Sequence, residues 1–194
     1  MLLGLAQLAC QPITTETGRI TVASAGKISS LDPAQASTVN TIQLLSALGD
    51  PLYSLDERGE LIPRLAVADP IVSPDGMTVT IPLRRDVRFH DGTPFDAEAM
   101  AFSLRRFLEI GTLSYVVGGR ISSVEVAAVD RLVLHLSRPS TSLEGLLTSV
   151  NLTPLSPTAY AQHRDGFLHN RFVGTGPYRL SDFSEHQQLS LIHI

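Results

Sequence analysis

Three tight turns constrain this chain more than any other feature. Asp56-Glu-Arg-Gly59, Ser73-Pro-Asp-Gly76 and His90-Asp-Gly-Thr-Pro94 each set turn-forming residues between short apolar runs. Proline presets φ, glycine supplies a positive φ, and an aspartate can bond the backbone two residues on. Reversals this closely spaced leave room only for short strands. The runs around them carry the period of two that such strands need: Met77-Thr-Val-Thr-Ile-Pro-Leu83, then Ser123-Val-Glu-Val126 and Leu132-Val-Leu-His-Leu136. The last two flank Ala127-Ala-Val-Asp-Arg131 and read as a hairpin.

Helical patterns interrupt the strands. Ser37 or Thr38 can cap a helix carrying Val39, Ile42, Leu45 and Leu48, with Gly49 as its stop. A longer helix runs from about Asp96 to Glu109, with Asp96 as cap, Glu98 in the first turn, and Met100, Leu104, Phe107 and Leu108 as its buried stripe. Arg19–Ser24 reads as the first strand, Ser140–Val150 and Pro157–His163 as short helices, and Pro177–Leu180 as another strand. Without strict β-α-β alternation, the expected class is mixed α/β with a partly antiparallel sheet. No linker divides the 194 residues.

Charge and reactive side chains narrow the function. Fifteen basic against nineteen acidic residues, with no Lys/Arg run longer than Arg84-Arg85 or Arg105-Arg106, leave no electrostatic footprint for nucleic acid. His90-Asp91 invites a catalytic or metal reading, but the Asp-Gly pair is better explained as a turn. Asp32 in Leu-Asp-Pro reads as a residue that ties down its loop. Gly174-Thr-Gly176 lacks the third glycine and the Lys-Ser/Thr pair of a phosphate cradle, and reads as a turn returning the chain to the sheet. The six histidines are scattered, and Gly-x-Ser-x-Gly is absent. No catalytic residue, metal ligand or cofactor is expected.

The only cysteine, Cys10, excludes an internal disulfide and a two-Cys metal site. It closes an apolar opening, Met1-Leu-Leu-Gly-Leu-Ala-Gln-Leu-Ala-Cys10, that resembles the tail of a bacterial lipoprotein signal whose cysteine is lipidated; the plainer alternative is a free thiol near the terminus. Residues 1–18 are thus expected to be residual signal and polar linker.

Ser30-Leu-Asp-Pro33, Asp50-Pro-Leu-Tyr-Ser-Leu55, Gly59-Glu-Leu-Ile-Pro-Arg-Leu-Ala66, the long run Ser73–Glu98, Val124–Pro139 and Val173-Gly-Thr-Gly-Pro-Tyr178 follow one another in an order that resembles the extracytoplasmic solute-binding proteins of family 5, the peptide/nickel class. The resemblance covers roughly residues 19–188. It implies a lobe of the periplasmic-binding-protein type II kind, here incomplete because the second lobe is missing. It also implies a non-enzymatic role: capturing an oligopeptide, dipeptide, nickel complex, opine or sugar and delivering it to a membrane ABC permease. The expected protein is monomeric and periplasmic or cell-surface, with Cys10 as the candidate lipid anchor. By position, Lys27, Ile28 and Ser29 match a ligand-contacting loop of peptide-binding relatives, and Tyr115 a cleft tyrosine. A lone lobe is expected to bind no peptide tightly.

Two further readings stay open. The same fold could serve as the ligand-sensing module of a regulator, and a hydrolase would need a nucleophile–base pair that the sequence does not offer. Leu189-Ser-Leu-Ile-His-Ile194 resembles the translation of a sequencing-library adaptor, its alternative being an ordinary terminal strand.

Overall fold

The computed structural model describes residues 26, 28, 30–115, 120–140, 143–162, 171–184 and 188–193. The expected first strand, Arg19–Ser24, and the lipidation candidate Cys10 lie outside them.

A 3-10 turn, Pro33–Gln35, precedes α1 (Val39–Leu48). Strands β1 (Tyr53–Leu55) and β2 (Leu61–Pro63) form a small antiparallel pair. Next come β3 (Ile71–Val72), β4 (Thr78–Pro82), α2 (Ala97–Ile110), β5 (Ile121–Ala128) and β6 (Arg131–Leu136). The four strands make an antiparallel sheet in the order β3-β4-β6-β5. Helix α3 (Leu143–Leu147), a 3-10 turn at Val150–Leu152 and α4 (Pro157–Gln162) lead to the antiparallel pair β7 (Tyr178–Ser184) and β8 (Gln188–His193).

Local chemistry accounts for most of these boundaries. The Asp96 carboxylate accepts from the Ala99 amide, and the Thr38 hydroxyl from the Thr41 amide, each satisfying an amide that has no partner within its helix. Gly59, Gly76 and Gly92 have φ of 82°, 69° and 83°, the left-handed region the three turns require. The helix expected over Ser140–Val150 is shorter, because the Ser149 hydroxyl accepts from the Asn151 amide and starts a new turn.

Two cores result. In the first, Met100, Ala101, Leu104 and Phe107 of α2 join Val79, Ile81, Val124, Leu132, Leu134 and Leu136 of the four-stranded sheet. In the second, Leu44, Leu45 and Leu48 of α1 gather with Leu31, Ala36, Leu155, Ala159 and Phe172. Phe102 extends α2 into this second core and meets Tyr160 at 5.5 Å between ring centroids. Of the apolar residues read on α1, Leu45 and Leu48 are buried and Ile42 is partly buried against the second core, whereas Val39 is 68% exposed, and Thr41 and Leu44 complete the buried face. A spacing of threes drifts around a 3.6-residue helix, so Val39 and Leu48 end about 180° apart.

Candidate functional site

The loop from Ser30 to Ala36, which follows the expected ligand-contacting residues, is held from several sides. The amide of Asp32 donates to the Ser30 hydroxyl at 3.0 Å, and its Oδ1 accepts from the Ala34 amide at 3.0 Å. Both carboxylate oxygens also receive the Arg106 guanidinium, Nη1 to Oδ1 at 2.6 Å and Nη2 to Oδ2. Arg106 lies on α2, with its Cζ 5.1 Å from the centre of the Tyr160 ring on α4. Burial disfavours its charge, but the partnership with Asp32 and Tyr160 outweighs burial and lifts its pKa above the ordinary arginine value. The Asn151 side-chain amide, 6% exposed as a residue, donates at 2.8 Å to both Pro33 O and Ala36 O. Asp32 therefore ties down its loop.

The expected contact residues flank this knot. Ile28 is half-buried against the second core, and Tyr115 is 78% exposed. Lys27 and Ser29 lie outside the described residues. The two segments meet through the Thr112 amide, which donates to Ala34 O at 3.0 Å. That bond ties the Ser30–Ala36 loop, two residues after Ile28, to the turn that follows α2 and leads to Tyr115. Sequence reasoning missed Arg106 and Asn151 as the residues that hold them.

The second feature is an open cleft of about 440 Å³, lined among others by His90, Asp91, Arg171, Phe172, Arg179 and Asp182. His90 and Asp91 bring the His90–Pro94 turn to one side of it, and residues 171–173 and 179–183 line the rest. Asp91 Oδ1 accepts from the Thr93 amide at 3.0 Å, the Asx bond read from the sequence. Its Oδ2 additionally accepts from the Ser156 hydroxyl at 2.5 Å. Ser156 in turn accepts from the Ala159 amide, capping α4. This hydroxyl is fully buried and committed to capping. Burial pushes the Asp91 carboxyl up, but the bonds from Ser156 and Thr93 outweigh it and hold the pKa below the usual carboxylate range. Asp50, by contrast, is pushed up by burial despite its bond to Thr175.

The sign for stability follows. A carboxylate whose pKa is lower folded than unfolded stabilises the fold above its unfolded value, and that contribution drains as pH falls through the folded value. Asp50 runs in the opposite sense. Asp91→Asn should flatten the acid limb of a plot of Tm against pH below the ordinary carboxylate value of 3.8. An acid limb as steep as the parent's would contradict the assignment.

Behind the turn, the Gly174–Gly176 segment passes over the end of α1. The Gly176 amide donates to Leu48 O at 3.0 Å, the His90 amide donates to Gly174 O at 2.9 Å, and His90 Nε2 lies 2.9 Å from Gly176 O. Since a carbonyl only accepts, Nε2 carries the proton in this contact. The Asp50 amide donates to the Thr175 hydroxyl at 3.2 Å. These glycines permit a close backbone approach before the chain enters β7. Among the described residues, no three His, Cys, Asp or Glu side chains gather as a metal-ligand set. Nor is any helix there long and apolar enough to cross a membrane.

Residues 60–192 match the family described as Bacterial extracellular solute-binding proteins, family 5 Middle. The glutathione-binding protein GsiB of Shigella flexneri is 28% identical over 169 residues, which span 86% of this chain and 32% of that protein. Its counterpart in Escherichia coli strain K12 is 28% identical over 170 residues, with the same shares. The chain thus spans about a third of the length of the curated relatives it matches. Listeria monocytogenes OppA bound to peptide superposes with a TM-score of 0.78 at 21% identity, over 86% of this chain and 36% of that one. The PBP AgaA of A. tumefaciens R10, in complex with agropinic acid, gives 0.79 at 24%, over 87% and 34%. At these identities the structural likeness speaks for the fold: a mixed α/β lobe of the periplasmic-binding-protein kind, built here on antiparallel sheets.

Proposed function

Because this chain belongs to the bacterial extracellular solute-binding proteins of family 5, we propose that it forms one side of a receptor that captures a peptide-class small solute outside the cytoplasm and delivers it to an ABC permease. The observation that carries this reading is the family match over residues 60–192. Solved structures of the same fold bound to peptide or to agropinic acid support it. Residues 19–188 supply the binding lobe on this reading. Lys27, Ile28 and Ser29 face the ligand from one segment and Tyr115 from the other. On the same reading Cys10 becomes the lipidated first residue once the apolar segment before it is cleaved, residues 11–18 form the polar linker, and 189–194 is adaptor-derived sequence.

The mechanism is enclosure. A second wall closing over the ligand excludes water, strengthens each polar contact, and creates the closed state that a permease can distinguish from the open one. No bond in the solute is made or broken, so the protein is not an enzyme. Titration calorimetry of the complete protein with glutathione and with di- to pentapeptides tests the proposal. Micromolar or tighter binding of at least one is expected. Silence across the panel, or labelling by a serine-reactive fluorophosphonate probe, would overturn it.

A further inference from the structure

The Asp32–Arg106 pair is more deeply buried than stability alone explains. The two side chains are 5% and 11% exposed. Removing such charges from water costs about as much as their attraction returns, so a well-packed apolar pair is often equally stable or more so. What the pair does supply is direction. A planar guanidinium bonding both oxygens of one carboxylate fixes distance and angle together.

Here that fixed geometry belongs to the loop. Asp32 is the residue through which the Ser30 hydroxyl, the Ala34 amide and the Arg106 guanidinium are joined. Two residues on, Ala34 O accepts the Thr112 amide from the stretch that leads to Tyr115. Arg106 is itself braced by the Tyr160 ring from α4. One guanidinium therefore references α2, α4 and the loop to one another.

We propose that Arg106 is a positioning residue for ligand capture: acting through Asp32, it presets the pose of the loop carrying Ile28 and of the segment carrying Tyr115 before any ligand arrives. This rests on the reading that these two segments contact ligand. A preset loop spares the ligand the cost of ordering it on binding, so the effect appears in affinity.

The test compares the complete protein with the double variant Asp32→Asn/Arg106→Met and with Arg106→Lys. Asparagine keeps an acceptor for the Ala34 amide, while methionine fills the space without charge. Amide hydrogen exchange is read at Ala36 and Thr112, whose partners are the backbone oxygens of Pro33 and Ala34 and not the Asp32 carboxylate. The double variant should hold Tm within about 4 °C. Its exchange at both amides should rise at least about tenfold, and its affinity for the glutathione or peptide bound by the parent should fall about tenfold. Arg106→Lys keeps the charge but not the fork, and should fall between the two. Unchanged exchange in the double variant overturns the proposal, as does faster exchange with unchanged affinity. If the double variant does not fold, Arg106→Lys decides by the same readings. A parent that binds nothing in the panel overturns the functional reading on which affinity depends, whereas the exchange rates still decide whether Arg106 presets the loop.

Discussion

Gly176→Ala should lower Tm by about 6–12 °C, corresponding to about 3 kcal/mol in a chain of this size. A Cβ at this position would stand 2.6 Å from the Gly49 amide nitrogen and Leu48 C, and 2.7 Å from Ala47 O. All three are backbone atoms at the end of α1, so no side chain can swing aside. Relief requires the 174–176 segment to move off the helix end. That movement strains the Gly176–Leu48 hydrogen bond and the His90 contact together. Gly145→Ala is the control: nothing lies within 4 Å of its added Cβ, and it sits on the exposed side of α3. There the change should raise Tm slightly, because alanine is the better helix former by about 1 kcal/mol. Equal, small effects at the two positions, measured by thermal unfolding, would refute the close-approach account.

Phe107→Ala is expected to cost about 3–5 kcal/mol, the range for deleting a buried aromatic side chain without collapse of the space. Phe107 is 1% exposed and sits in the first core, on the face of α2 that packs against the sheet. Urea unfolding at neutral pH checks the figure. A loss under about 1 kcal/mol would mean that the core closes around the missing ring and that α2 is packed far more loosely than its burial indicates.

Much of this architecture was legible because its causes are local. The cap at Asp96, the positive φ at Gly76 and the period of two in β4, β5 and β6 each depend on residues a few positions apart. On α1 the spacing of threes named Leu45 and Leu48 but carried Val39 off the buried face, because such a spacing holds a stripe for only one or two turns, and the face at 41, 44, 45 and 48 includes a threonine. Tertiary polar partners were beyond reach. Asn151 reaches back to Pro33 and Ala36, Ser156 to Asp91 and Arg106 to Asp32 across 65 to 118 positions, and no local pattern announces such a pairing. Motif order pointed to the loop around Ile28 and to Tyr115, whereas the ion pair that braces them became visible only once α2 was placed beside the loop.

Helix α2 has a consequence for how this lobe comes apart. It gives Met100, Leu104 and Phe107 to one hydrophobic cluster and Phe102 to the other, while Arg106 grips the loop from the same scaffold. Melting either cluster strips one face of this helix, so loss of one weakens the template for the other. Two modest assemblies, each small for independent survival, are in this way obliged to dissolve as a single cooperative unit.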